Sequence, residues 1–233
     1  MKIAITGEKG FLGIQLTNYF RHILKYEVIE LGKNYIEKLK DIGELDWLIH
    51  GACVHRNANP EQILVLNNVI TNTTINCLKV NNINCNIVFL STIQENDETT
   101  YGQSKREAKE AFRNYCLQKH TKFVSFKLPN IFGKYARPYR TSFIATFCYN
   151  LHNNLQINYN QNKVKLCYID DALKIIGNLQ EDRFPYIETS VDEVYYYLLK
   201  YHQMTLNNEI PELKSKFEVN LYNTYLDYSV YKL

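Results

Sequence analysis

No apolar run in these 233 residues approaches the roughly 18–20 needed to span a membrane, which argues against a transmembrane helix. The n-region and h-region of a secretory signal are also missing, because the first apolar run stops at Thr6-Gly7. The expected location is therefore cytoplasmic. Six cysteines stand at 53, 77, 85, 116, 148 and 167 with no C-x-x-C pair and no His-Cys cluster. That spacing excludes a disulfide framework and a zinc site, so no metal is expected and the thiols read as reduced core residues. A net charge of +3, with dispersed basic residues, is too small to imply a nucleic-acid partner. No internal repeat or low-complexity linker interrupts the chain. With 45% hydrophobic and 22% charged residues, the length suits one sizeable domain with room for a small appended lobe.

The opening segment is the most informative part. Ile3-Ala4-Ile5 reads as a buried strand, Thr6-Gly7-Glu8-Lys9-Gly10-Phe11-Leu12-Gly13 follows, and Phe11, Leu12, Ile14 and Leu16 open a helix. Strand, glycine turn and helix in that order make a dinucleotide-binding start. Gly7 permits the tight turn, Gly10 lets backbone N–H groups approach a pyrophosphate, and Gly13 allows close helix–strand packing. The anion would sit on the helix N-terminus, where unpaired N–H groups and the dipole favour it.

The elements alternate from there. A first helix is expected over 11–24, a second strand over 27–31, a short helix over 34–40 and a third strand over 47–52. A helix over 60–80, a strand over 86–90, a helix over 102–119 and a strand over 122–128 follow. This order predicts an α/β fold, a doubly wound Rossmann-type parallel sheet covered on both faces. Beyond residue 130 the alternation breaks down into a Tyr-rich remainder, read as a small C-terminal substrate-binding lobe. The expected division is a Rossmann NADP-binding core over 1–130, with 164–180 returning to it, and a lobe from 131–163 and 181–233.

Cofactor choice follows from the end of the second strand. NAD-preferring sites place an acid there for the ribose 2′-hydroxyl, but the position falls at Gly32, with Lys33 next. A missing carboxylate and an added cation suit a 2′-phosphate, so NADPH rather than NADH is expected.

Tyr101-Gly102-Gln103-Ser104-Lys105 is a Tyr-x-x-x-Lys at a helix start, which puts both side chains on one face. The lysine charge can lower the phenol pKa and make it a usable acid–base group. In a chain with 19 tyrosines the spacing alone means little. Tyr115/Lys119, Tyr159/Lys163, Tyr196/Lys200 and Tyr228/Lys232 share it. Only Tyr101 follows a buried strand ending in adjacent hydroxyl residues, Ser91-Thr92, which can converge with Tyr101 and Lys105 on one carbonyl. Thr92 is favoured over Ser91 as the carbonyl donor.

Taken in order, these motifs resemble the extended short-chain dehydrogenase/reductases. T-G-x-x-G-x-x-G, Leu48-Ile49-His50-Gly51-Ala52, Asn68-Val69, Ser91-Thr92, Tyr101/Lys105, Leu128-Pro129-Asn130-Ile131-Phe132-Gly133 and Tyr168-Ile169-Asp170-Asp171-Ala172 all match in sequence. Pro129-Asn130-Ile131-Phe132-Gly133-Lys134, Pro138 and Ile144-Ala145-Thr146-Phe147-Cys148-Tyr149 look, more narrowly, like the reductase half of capsular-polysaccharide enzymes on the route to UDP-N-acetyl-L-fucosamine. Ser91-Thr92-Ile93-Gln94 and Leu221-Tyr222-Asn223-Thr224-Tyr225-Leu226 fit the same subfamily.

The resemblance implies NADPH-dependent reduction of a UDP-2-acetamido-2,6-dideoxy-4-hexulose at C4. It implies Thr92, Tyr101 and Lys105 as catalytic residues. Cofactor contacts are implied at Gly7, Lys9, Gly10, Phe11, Leu12, Gly13, Lys33, Ala52, Tyr101, Lys105 and Leu128. Substrate contacts are implied at Thr92, Asn130, Lys134, Arg137 and Arg140. Asn68 would shape a proton path near Lys105, Asp170-Asp171 would cap a helix, and His55 and Arg56 are substrate-facing options. His50 reads as core or cofactor-facing. The family also implies a homodimer through the helices near 60–80 and 102–119. Its cupin epimerase domain would begin where these residues end. A stand-alone reductase with a separate cupin-type partner and one domain of a longer product both stay open. So do a redox-neutral epimerase with tightly held NAD and a non-catalytic NADP-binding subunit. A dehydratase would want Asp-Glu after Thr92, where Ile93-Gln94 stands.

Overall fold

The computed structural model describes residues 1–140 and 142–230. Among these, no helix is long and apolar enough to cross a membrane. The chain forms two compact units: residues 1–128 with 173–183, and residues 129–172 with 184–233.

The first unit is built on a five-stranded parallel sheet in the order β2-β1-β3-β4-β5. The strands are β1 (Lys2–Thr6), β2 (Glu27–Glu30), β3 (Trp47–His50), β4 (Asn86–Thr92) and β5 (Phe123–Leu128). Ile3, Ala4 and Ile5, all of β3, and Ile87 to Leu90 in β4 are buried, as strands covered on both faces require. The helices are α1 (Phe11–Asn18), α2 (Tyr35–Lys40), α3 (Glu61–Val80) and α4 (Thr100–Lys119). The expected first helix thus ends early, and a π-helical turn, Tyr19–Ile23, completes it. Leu48, Ile87, Phe89, Leu78, Phe112 and Tyr115 belong to one apolar core.

Strand order decides where chemistry can sit. The chain leaves β1 to one side for β2 and returns to the other side for β3. The carboxyl ends of β1 and β3 therefore border the topological switch point, where ligands bind in open α/β sheets.

The second unit carries a mixed sheet, in which β7 (Lys163–Tyr168) pairs parallel with β6 (Asn130–Phe132) and antiparallel with β8 (Ile187–Ser190). Here the expected boundaries shift. Of the segment 164–180, residues 164–172 belong to this unit and only 173–180 to the first. The reason is backbone pairing, because β6 and β8 satisfy both edges of β7. Helices α5 (Phe143–His152), α7 (Val191–Leu206) and α8 (Lys216–Asp227) supply the core, with α6 (Ile169–Gly177) crossing the boundary in sequence. The Tyr-rich composition is explained here: Tyr201, Tyr225 and Tyr228 are fully buried beside Leu198 and Leu221.

Candidate active site

The glycine turn has the geometry that the sequence requires. Gly7 takes a left-handed φ of +74°, and a Cβ there would lie 2.7 Å from the Gly51 carbonyl carbon. At Gly13 a Cβ would come within 2.1 Å of the Gly7 carbonyl oxygen. Helix α1 can therefore start directly against the end of β1 only because both residues lack a side chain. Gly10 is the N-cap in extended conformation, and its amide donates to Gly7 O at 2.9 Å. The first-turn amides at Phe11 and Leu12 have no intrahelical acceptor and face the switch point with the positive end of the helix dipole. This cradle fits a pyrophosphate. Lys9 and Gly10 are exposed on its rim, Phe11 and Leu12 are half-buried, and Gly13 is buried.

The Thr6 hydroxyl ties β1 to the end of β3. It accepts from the Gly51 and Ala52 amides, each at 3.2 Å, and lies 3.1 Å from His50 Nδ1. With both lone pairs used, its proton goes to Nδ1. His50 is buried against Phe89 and Phe112, with the Phe112 ring 4.6 Å away. Burial first, then the Lys105 charge, push its pKa down to about 3. His50 is a neutral core residue, and it fixes the loop that carries Ala52 and Cys53.

Beyond Ala52 the chain places Cys53 half-buried, its Sγ 3.2 Å from His55 Nε2. The His55 ring lies 5.3 Å from the Tyr101 ring. The expectation that every cysteine is a core thiol fails at this position. The His-Cys spacing there is C-x-H, too short to read as a ligand pattern. Buried Asn67 holds the same loop: its side chain accepts from Val54 N at 2.7 Å and donates to Val54 O at 3.1 Å and Ser104 Oγ at 3.0 Å.

At the end of β4, Ser91 is buried and Thr92 half-buried. Ser91 donates to Glu95 Oε2 at 2.5 Å, and Glu95 also meets Lys127 at 2.6 Å and Lys109 at 3.1 Å. Burial opposes the Glu95 charge, but these partners hold its carboxyl below the usual range. Ser91 is thus committed to structure, while the Thr92 hydroxyl caps the following 3₁₀ turn, Ile93–Asn96, by accepting from Gln94 N at 3.2 Å. The start of α4 packs on that turn. Thr99 caps the helix by accepting from Gly102 N at 3.0 Å, and a Cβ on Gly102 would meet Gln94 O at 2.5 Å and Asp97 O at 2.6 Å. Tyr101 and Lys105 follow on one face of α4. Lys105 is buried, donates to Leu90 O at 2.8 Å, and lies 4.8 Å from the Phe89 ring centroid and 6.0 Å from that of Tyr101.

The Tyr101 phenol is perturbed in the opposite sense to the sequence expectation. Burial pushes its pKa upward, and the Cys53 charge and hydrogen bond add to that shift. Tyr101 therefore keeps its proton throughout the neutral range.

Lys33 is exposed beyond Gly32. Glu8 is buried with Oε1 3.7 Å from where a Gly32 Cβ would be, and Lys38 Nζ lies 3.9 Å from the same point. Leu128 is half-buried at the end of β5. In the second unit, Asn130 is exposed and donates to Lys165 O at 3.3 Å. Lys134, Arg137 and Arg140 are exposed on the loop between β6 and α5, held by Tyr135 N donating to Asp227 at 3.1 Å and by Tyr228 Oη donating to Ala136 O.

Residues 3–182 match the NAD dependent epimerase/dehydratase family. The chain belongs to that family. It is 27% identical, over 98% of its length, to the UDP-2-acetamido-2,6-beta-L-arabino-hexul-4-ose reductase of Pseudomonas aeruginosa, of which it spans 65%. The crystal structure of the capsular polysaccharide assembling protein CapF from Staphylococcus aureus superposes with a TM-score of 0.82 at 27% identity, covering 98% of this chain and 65% of that one. RMD from Pseudomonas aeruginosa, solved with NADPH, shares the fold at a TM-score of 0.80 and 15% identity, covering 98% and 100% of the two chains. The chain thus spans just under two thirds of the length of the first two relatives.

For an epimerase/dehydratase-family member, the competing Tyr-x-x-x-Lys pairs are accounted for locally. Tyr115 donates to Ile83 O at 2.9 Å in the core, Tyr159 and Tyr196 bond each other at 3.3 Å, and Tyr228 is the loop anchor. Its partner Lys232 lies outside the described residues. Asn68 is half-buried and donates to Glu107 Oε2 at 2.7 Å. The inward position is Asn67, one residue earlier, and α3's buried Asn67, Thr71 and Thr74 mark that face. Asp170 and Asp171 lie in the first turn of α6, Asp171 paired with Lys216 at 2.8 Å. Glu8 beside Gly32, Cys53 bonded to His55, and Asn67 bonded to Val54 and Ser104 are residues of this region that motif spacing passed over.

Proposed function

We propose that this family member is a 4-ketoreductase that uses NADPH to reduce a UDP-2-acetamido-2,6-dideoxy-4-hexulose to the 4-hydroxy sugar. One observation carries the reading. Thr92 ends β4 of the sheet that holds the glycine cradle, and Tyr101 and Lys105 share one face of the helix that follows, in a chain 27% identical over 98% of its length to a hexul-4-ose reductase. Gly7, Gly10, Phe11, Leu12 and Gly13 bind the cofactor pyrophosphate, with Lys9, Ala52 and Leu128 around it. Lys33 and Lys38 favour a 2′-phosphate. Bound there, NADPH supplies a hydride to the sugar C4.

The protein's own part is to hold the ketone and give it a proton. Thr92 donates to the C4 oxygen. Tyr101, kept protonated by its buried setting, is poised as the general acid that delivers its proton to that oxygen. Lys105 places a fixed positive charge beneath, stabilising the phenolate that remains and reaching the cofactor ribose. Asn130, Lys134, Arg137 and Arg140 are the proposed contacts to the diphosphate and uridine of the substrate. A cytoplasmic homodimer through α3 and α4 completes the reading; Val65, Leu66 and Val69 leave an exposed apolar stripe on α3.

The test is NADPH consumption by the purified protein with the 4-hexulose generated in situ, in the presence and absence of a separate cupin-type C3-epimerase. Oxidation with a new UDP-sugar product supports the reading, and dependence on the epimerase identifies the substrate's configuration. Bound NAD with no net consumption would replace it with a redox-neutral epimerase.

A further inference from the structure

Cys53 is the one cysteine of six that is not buried. It does not stand alone. His55 Nε2 is 3.2 Å from its sulfur, and the His55 ring lies against the Tyr101 ring at 5.3 Å. Lys105, on α4 with Tyr101, has its Nζ 6.0 Å from the Tyr101 ring centroid. A half-buried cysteine among a lysine, an imidazole and a phenol has the setting of reactive thiols, whereas apolar burial makes a thiol inert.

We propose that Cys53 is a covalent modification site: a nucleophilic thiol, held by His55 in the group formed with Tyr101 and Lys105, that reacts with hydrogen peroxide or soft alkylating electrophiles ahead of the chain's other five cysteines. With peroxide, the sulfur attacks one oxygen, an S–O bond forms, the O–O bond breaks, and the departing hydroxide takes a proton to leave as water. Sulfur is oxidised to the sulfenic acid and peroxide is reduced. The adduct sits against Tyr101, so modification blocks the proposed proton donor. That consequence rests on the reductase reading; the reactivity does not.

The remaining cysteines point the same way. Burial pushes Cys85 and Cys167 up to about 12, and it raises Cys77, Cys116 and Cys148 as well. At Cys53 burial also acts upward, but the Lys105 charge and the contacts with His55 and Tyr101 outweigh it and bring the thiol to about 6. A low pKa also weakens the intrinsic nucleophile, so at neutral pH its gain over an exposed ordinary thiol is small. The distinguishing signatures are selectivity within the chain and the pH profile.

The experiment is limiting iodoacetamide on the full chain from pH 5 to 9, with labelled peptides quantified by mass spectrometry and Cys53→Ala as the labelling control. Cys53 is expected to label at least about tenfold faster than any other cysteine, with a midpoint near pH 6 and a plateau above pH 7. His55→Ala, at an exposed position, should move that midpoint upward. Peroxide followed by dimedone should leave its adduct on Cys53. Labelling spread over the other cysteines, or a Cys53 rate still climbing between pH 7 and 9, would overturn the proposal. None of these readouts requires turnover, so failure of the reductase reading leaves them intact.

Discussion

Gly102→Ala is the substitution for which two simple rules give opposite answers. In a helix interior alanine is better than glycine by about 1 kcal/mol, so propensity alone predicts a more stable protein. The packing says otherwise. The new Cβ would lie 2.5 Å from Gln94 O and 2.6 Å from Asp97 O, both backbone atoms that cannot rotate away. Ordinary contacts begin near 3.4 Å, so the first turn of α4 or the 3₁₀ turn must retreat by about 0.9 Å. Overpacking of this kind costs about 1–3 kcal/mol, enough to cancel or reverse the propensity gain. Tyr101, the proposed proton donor, is the adjacent residue, and a displacement of about 1 Å at a reacting group can cost on the order of 10²-fold in rate. The expected result is a folded protein with unchanged or lower melting temperature and turnover reduced about 10²-fold, read by thermal denaturation and NADPH oxidation. A variant that is both more stable and fully active would refute the claim that Gly102 seats Tyr101.

Tyr101→Phe should abolish at least about 10²-fold of turnover while leaving NADPH binding by fluorescence titration unchanged; near wild-type turnover would sink the assigned role. Glu95→Gln removes a buried charge from Ser91, Lys109 and Lys127 and should lower stability by about 2–3 kcal/mol in urea unfolding, short of the fully buried range because Lys127 is half exposed. His50 sets a pH dependence. The fold holds it neutral down to about pH 3, while the unfolded imidazole takes a proton near 6.5, so between these values the unfolded state binds more protons. Stability therefore falls as pH falls, by up to about 1.4 kcal/mol per unit, and below pH 4.5 the lowered Glu95 adds a loss of the same sign. His50→Leu should flatten the curve between pH 6 and 4.5, and an unchanged slope would remove His50 as its source.

The sheet was legible in the sequence because its signals are local. The apolar runs at 3–5, 47–49 and 87–90 are too continuous for a half-exposed strand, and the glycines of the first turn can be read from spacing alone. Tyr101 was separable from its competitors by what precedes it, the Ser91-Thr92 strand end. Non-local pairing was not legible. Nothing around residue 163 says that β7 finds its partners in β6 and β8. Asn67 and Asn68 differ only in helical phase, and the buried face of α3 decides between them. Glu8 and Cys53 were hidden for the same reason. Each acquires its role from a neighbour distant in sequence, Gly32 for one and Tyr101 with Lys105 for the other.

The most direct test of the central claim is isotopic. NADPH carrying deuterium at the transferable C4 position would be supplied with the UDP-2-acetamido-2,6-dideoxy-4-hexulose, and the sugar product analysed by mass spectrometry and NMR. The account predicts one deuterium bound to sugar C4, with stoichiometric oxidation of the cofactor. A product without deuterium, or turnover that consumes no cofactor, would contradict it.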